Sequence, residues 1–342
     1  MARVSVLLPV YNGEAYLAEA LQSIIAQDYH DFDIHIIDDG STDTTADIID
    51  KLKDNRLNYH KIKNIRIVGA LNYGLKLLDC EFVARMDADD ISFPFRLSRQ
   101  VDFLKFTQAV ATSSRVININ AAGRITSLSG DNTDFLNFDP KAIPAKEPYL
   151  PHPFMMVRLD IMRDIGGYRL AHLAEDSDLC WRLADTYRVA LQSDVMGLYR
   201  SHSSNSSNEG LTSGYIQAFY SELAALNAAR RQDKQTEVPY HLSPNDISDM
   251  TISIKNLTEA HTPYLSPVET NHLMAAASIK LLDISTYRYL PLSKEDIKFA
   301  KNCLAKIKLT KRDKQNTSRI FQQVREFHPE LHKINWRKTF FK

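Results

Sequence analysis

Arg85, Met86, Asp87, Ala88, Asp89 and Asp90 follow directly on the apolar run Phe82 to Met86. Side chains two residues apart on an extended segment face the same side, so Asp87 and Asp89 converge at a strand tip. Carboxylates brought that close repel unless a proton or a cation lies between them, and hard oxygen donors suit Mg²⁺ or Mn²⁺. Magnesium takes one or two protein carboxylates and completes its shell with phosphate oxygens and water, so a motif this short fits a phosphate-bridging metal. Asp-Ala-Asp-Asp alone is an ordinary solvated turn; its position after a buried strand favours the ion.

Other loops carry candidate groups. One reads Pro9, Val10, Tyr11, Asn12, Gly13, Glu14, and the next reads Asp38, Asp39, Gly40, Ser41, Thr42, Asp43. Ser41 to Asp43 fit ordinary helix capping, and Gly40 lets the backbone turn closely. Two adjacent acids at a sheet edge need a partner beyond a cap, which singles out Asp39 as an acceptor for a base N–H. Glu175, Asp176 and Asp178 open a helical pattern. Glu175 and Asp178 fit acids that complement a helix dipole. Asp176 is the candidate general base, a carboxylate that takes the proton of a hydroxyl as its oxygen attacks. His202 follows the apolar run Val189 to Leu198 and is either a metal ligand, a phosphate contact or a surface histidine.

Those loops need a scaffold. Apolar runs at Val4 to Val10, Ile34 to Ile37, Leu57 to Ile62 and Phe82 to Met86 alternate with helical patterns at 15–26, 44–52 and 69–77. Such alternation predicts a mostly parallel sheet with helices on both faces, and ligands bind beyond the carboxyl ends of its strands. A helix to about Phe106, a strand over 110–119, a turn at 122–124 and a strand edge with a short helix ending at Gly166 and Gly167 follow. Beyond the Ser/Asn-rich stretch 201–210 helical periods dominate, at 214–230, 244–260, 268–284, 293–307 and 315–326. The expected division is a catalytic domain over 1–210 and a helical domain with a basic tail over 211–342.

With 342 residues, 44% of them hydrophobic and 25% charged, the chain can bury a full core. No apolar run approaches the roughly 18 residues of a membrane span, and the N-terminus enters a strand pattern without a cleavage signal, so a cytoplasmic location is expected. Cys80, Cys180 and Cys303 are far apart and lack close His or Cys partners, which predicts reduced buried thiols. The formal charge is zero, yet residues 298–342 hold 13 Lys or Arg against 3 Asp or Glu, a local net of +10. Lys306, Lys308, Lys311, Arg312 and Lys314, with Trp336, Phe340 and Phe341 beyond, fit either contact with an anionic membrane surface or a solvated basic helix packed on the acidic part of the chain or on a second subunit, as in a homodimer.

Together these segments resemble glycosyltransferase family 2, inverting enzymes of the GT-A (Rossmann-like) fold. The resemblance spans residues 3–208 and rests on PVYNGEAYL, IDDGSTD, VGALNYGL, ARMDADD, HPFMMVR, GGY and EDSDL in that order. It implies a nucleotide-sugar donor, a UDP-sugar in the first instance, and Mn²⁺ or Mg²⁺ as cofactor. It implies that Pro9, Tyr11, Asn12 and Asp39 hold the nucleobase, with Glu14 of the same loop in the nucleotide-binding set. Asn72 and Arg85 would lie near ribose and phosphates, Asp87 at ribose, and Asp89 on the metal. Asp176 would be the base, and His202 matches a histidine that some members place near the metal. The Gln-x-x-Arg-Trp motif of processive members is replaced here by Cys180, Trp181, Arg182, which favours a single addition.

The expected product of that chemistry is a glycosidic bond to an acceptor hydroxyl on a saccharide or lipid-linked saccharide in cell-surface polysaccharide assembly; no nucleic-acid partner is expected. His152 either lines the acceptor pocket of the loop 121–155 or forms a structural turn before Pro153. Two rivals are a sugar nucleotidyltransferase, which lacks a Gly-rich triphosphate loop here, and a catalytically silent sugar-nucleotide-binding scaffold subunit.

Overall fold

The computed structural model describes residues 3–129, 138–203, 210–288 and 290–327. The chain sorts into two compact units that interleave along the sequence. One comprises Met1–Leu136, Pro148–Arg169 and Arg182–His202, the other Asn137–Glu147, Leu170–Trp181 and Ser203–Lys342. Two stretches that precede residue 210 therefore cluster with the helical remainder.

The first unit is built on one sheet. From the N-terminus run β1 (Val4–Val10), α1 (Leu17–Ile25), β2 (Phe32–Asp38), α2 (Thr45–Lys51), β3 (Leu57–Lys61), α3 (Arg66–Leu77) and β4 (Phe82–Arg85). There follow β5 (Ile91–Ser92), α4 (Arg96–Thr107), β6 (Ala111–Asn120), β7 (Ile125–Leu128), β8 (Met156–Arg158), α5 (Leu159–Asp164), α6 (Glu175–Thr186), whose residues 175–181 fall in the second unit, and β9 (Val189–Ser201). The order across the sheet is β3-β2-β1-β4-β8-β6-β9-β5, with β7 beside β6. β1 pairs in parallel with β2 and β4, β2 with β3 and β6 with β9, while β5, β7 and β8 pair antiparallel.

β1 is buried along its whole length, as a strand covered on both faces must be. α1 turns Leu17, Ala20, Leu21 and Ile24 inward at helical spacing, into one apolar cluster with Val4, Val6 and Leu8. Each such Leu or Ile contributes about 1.5–3 kcal/mol by leaving water. The parallel pairing of β1, β2 and β4 brings Val10, Asp38 and Arg85 to one edge of the sheet, and the loops leaving that edge carry the sequence motifs. The sequence pattern predicts neither β5 nor β7: a two-residue strand has no readable period, and all four residues of β7 are exposed.

In the second unit are α7 (Leu211–Gln232), α8 (Pro244–Asp249), α9 (Ile254–His261), α10 (Pro267–Arg288), α11 (Lys294–Leu304) and α12 (Lys311–Phe327). Phe219, Tyr220 and Leu223 of α7 share a buried cluster with Leu273, Ala277 and Leu281 of α10, Ile297 of α11 and Ile320 of α12. The period over 244–260 predicts one helix, and the chain forms two. Met250 is extended and Ser253 restarts the helix by accepting from the backbone N–H of Asn256, so α8 and α9 separate. Lys306, Lys308, Lys311, Arg312 and Lys314 are exposed, whereas Trp336, Phe340 and Phe341 lie outside the described residues. Among the described residues no helix is long and apolar enough to cross a membrane.

Candidate active site

After Arg85 the chain leaves β4 through Met86 to Asp90 and enters β5. Single carboxylate oxygens of Asp87, Asp89 and Asp90 lie within 4.8 Å of one another. The two-residue spacing predicts the first two; the third joins because the segment turns before β5. Asp90 is fully buried, its Oδ1 accepts the backbone N–H of Arg200 at 2.8 Å, and its Oδ2 has no hydrogen-bond partner. Burial, then the charge of Asp87, push the Asp89 carboxyl up from its ordinary range, with His202 opposing. Burial, then Asp87 and Asp89, push that of Asp90 well up. An orphaned buried carboxylate oxygen beside two further carboxylates fits a hard divalent cation.

His202, predicted as a further ligand, is brought to the same place: its Nε2 lies 2.8 Å from Oδ2 of Asp89, and its ring packs 4.8 Å from that of Tyr16. Asp87 is ion-paired with the buried Arg85 at 2.5 Å. Arg200, to which no sequence motif assigns a role, holds the acidic turn. Its Nε donates to the carbonyl of Asp89 at 2.8 Å, its guanidinium pairs with Glu19 and lies 4.6 Å over the ring of Tyr16. Its signal in the sequence is position, two residues before His202 near the end of β9.

The first two loops are tied to each other. Asn12, at φ 52°, donates its backbone N–H to Ser41 Oγ at 2.9 Å and accepts from the backbone N–H of Thr42 through its side chain at 2.9 Å. Glu14 accepts from the hydroxyl of Thr44 at 2.9 Å, so it ties the loop to the start of α2. Pro9 lies in β1 opposite Ile37, and Tyr11 is 55% exposed at its end. Asp38 is wholly buried, taking the Ser41 N–H at 2.7 Å and the Tyr59 hydroxyl at 2.6 Å. Asp39 accepts the N–H of Ile65 at 2.7 Å on Oδ1. Burial foremost, and neighbouring Asp38, push its carboxyl up, against the N–H groups of Ile65 and Arg66.

Asn72 uses its side-chain amide on one residue: Nδ2 donates to the carbonyl of Tyr168 and Oδ1 accepts its N–H, both at 2.9 Å. The Tyr168 hydroxyl in turn meets Nε2 of His152 at 2.7 Å. His152 is 5% exposed in the short turn His152–Phe154, which matches the structural alternative for it.

Asp176 belongs to the second unit by clustering and occupies the first turn of α6 with Glu175 and Asp178. Its Oδ1 accepts the N–H of Ser177 at 2.8 Å.

Residues 5–166 match the family described as Glycosyl transferase family 2. EpsE of Bacillus subtilis is 31% identical over 193 residues, which are 53% of this chain and 66% of EpsE, so the chain spans just under two thirds of that relative. The O-antigen biosynthesis glycosyltransferase WbnJ of Escherichia coli is 29% identical over 61% of this chain and 83% of its own length. S. aureus TarS, solved with UDP-GlcNAc, superposes with a TM-score of 0.56 at 15% identity over 99% of this chain and 93% of that one. The mannosyltransferase PcManGT from Pyrobaculum calidifontis, solved with GDP-Man and Mn²⁺, gives 0.53 at 18% identity over 96% and 87%. At those identities the likeness is one of fold, and the fold is the GT-A arrangement expected from the sequence.

Proposed function

Since this chain belongs to glycosyl transferase family 2, we propose that it is an inverting, metal-dependent, non-processive glycosyltransferase that moves a hexosyl or N-acetylhexosaminyl group from a UDP-sugar to an acceptor hydroxyl. The carrying observation is the convergence of Asp87, Asp89 and Asp90 at the sheet edge where the loops after β1 and β2 also emerge. A role in cell-surface polysaccharide assembly, with a saccharide or lipid-linked saccharide as acceptor, is supported by the likeness to WbnJ.

In this reading Asp39 accepts the uracil N–H, Pro9, Tyr11, Asn12 and Glu14 shape the base pocket, and Asn72 and Arg85 serve the ribose and phosphate side. Asp87 takes ribose, and Asp89 with His202 holds Mn²⁺ or Mg²⁺. Bound there, the ion supplies charge neutralisation to the departing diphosphate. Asp176 removes the acceptor proton as the hydroxyl oxygen attacks the anomeric carbon from the face opposite the nucleotide, a contribution of about 10² to 10⁴ in rate. The support for Asp176 is the Glu-Asp pair that opens α6. Along the sequence the catalytic domain is proposed over 1–210 and the helical domain over 211–342, with Asn137–Glu147 and Leu170–Trp181 clustering with the helical part; the exposed lysines of the helical domain are proposed to meet an anionic membrane at the inner face of the plasma membrane.

The test is a panel of nucleotide sugars with and without Mn²⁺, scored by released nucleoside diphosphate. Metal-dependent release from a UDP-sugar is expected. Pyrophosphate as product would replace this reading with a nucleotidyltransferase, and binding without any turnover would leave a scaffold.

A further inference from the structure

The first turn of a helix is prone to fray, because its leading N–H groups lack intrahelical partners. The residues around Asp176 are held instead by side chains distant in sequence. Ser177 donates its hydroxyl to Oε2 of Glu147 at 2.8 Å, and Oε1 of Glu147 pairs with Lys280 of α10 at 2.7 Å. Asp178 accepts the hydroxyl of Tyr240 at 2.9 Å. Upstream, the ring of His172 bonds the carbonyl of Leu242 at 2.7 Å; downstream, Trp181 is buried against Ala224, Ala225 and Ala228 of α7.

Glu147 is itself fixed. It ends a strap whose Ala145 N–H donates to the carboxylate of Glu222 on α7, at 3.2 and 3.1 Å to its two oxygens, and whose Ile143 N–H donates to Asp313 on α12 at 3.1 Å. The Glu147 and Lys280 side chains are only 7% and 19% exposed. A pair so placed is weak evidence of stability, because desolvation offsets its attraction, but it fixes orientation well.

We infer that the helical unit positions the base: the Lys280–Glu147–Ser177 chain and the Tyr240–Asp178 bond hold the first turn of α6 and so aim the carboxylate of Asp176. The inference rests on the assignment of Asp176 as base. Glu147, Lys280 and Tyr240 are positioning residues, with no contact to substrate required of them. A misplacement near 1 Å of a reacting group costs up to about 100-fold in rate.

The experiment uses the full-length protein and the nucleotide sugar that the panel selects, with uridine diphosphate plus Mn²⁺ as the binding probe. Glu147→Gln, Lys280→Met and Tyr240→Phe are expected to lower kcat by about 10- to 100-fold while donor KM and the probe's Kd stay within about twofold of wild type, and Lys280→Arg is expected to recover most of the loss. Tyr240→Phe removes a single hydroxyl and keeps the test valid if a charge variant misfolds. Asp176→Asn is the control. Near-normal turnover in Asp176→Asn removes the base assignment itself. Turnover lost in Asp176→Asn but unchanged in Glu147→Gln and Tyr240→Phe, or a rise in KM with kcat intact, overturns the positioning inference and leaves the base in place.

Discussion

Three carboxylates within 4.8 Å of one another repel by about 3 kcal/mol per ionised pair at an effective dielectric of about 20, so the cluster is poised to take up positive charge. Mn²⁺ with uridine diphosphate is therefore expected to stabilise the chain thermally, by about 2.7 kcal/mol at a hundredfold excess over Kd, and Asp89→Ala to abolish that gain. Unchanged stabilisation in that variant, read by differential scanning fluorimetry, would move the metal elsewhere. Tyr59→Phe leaves Oδ2 of the buried Asp38 without its hydroxyl donor and should cost about 1–3 kcal/mol in denaturant unfolding. The acids were legible because carboxylates after a buried strand have few structural uses. Asp38, Asn72 and His152 were harder, because their partners Tyr59, Tyr168 and Tyr168 lie 21, 96 and 16 residues away, and no local pattern encodes such contacts.

The acidic turn is held between β4 and β5, and β5 depends on one glycine of β9. A Cβ on Gly197 would stand 2.3 Å from the carbonyl oxygen of Ile91 and 2.3 Å from a ring carbon of Phe154. Neither can yield cheaply, since one is backbone and the other a buried ring in a close-packed interior. Gly197→Ala should destabilise the fold by about 1–3 kcal/mol or more and weaken Mn²⁺ binding by shifting Asp90, the residue before β5. Calorimetric titration of Mn²⁺ with wild-type affinity would show that the turn does not rely on this pairing. The parallel β-α run was readable because β1 and β4 are largely apolar and buried along their whole length and α1 is amphipathic. The split of α8 from α9 was not, since the apolar period continues across a break made by one serine cap.

The helical unit carries a buried acid whose ionisation couples to stability of the chain. Burial pushes Glu222 up to about 7 from 4.5, with Lys280 opposing. Between those values the folded chain binds more protons than the unfolded one, so this contribution is full below about pH 4.5 and is lost as pH rises through 7. The melting temperature of Glu222→Gln relative to wild type should accordingly climb from about pH 5 to about pH 8. A flat difference across that range would show that Glu222 is ionised when folded. A fragment ending at 210 should aggregate or lose amide protection over 170–181, because Ala174 and Trp181 would be stripped of their buried clusters with residues of α7 and α10. Interleaving of this kind is invisible to a reading that looks for a single composition shift along the chain.

That interleaving also limits how such chains can be recombined. A chimaera that exchanges everything after residue 210 with a relative would keep a foreign Asn137–Glu147 and Leu170–Trp181 against the new helices. Gene fusions at one junction should yield insoluble hybrids, and grafts that carry all three stretches together should fold, so inheritance would act on them as a single block.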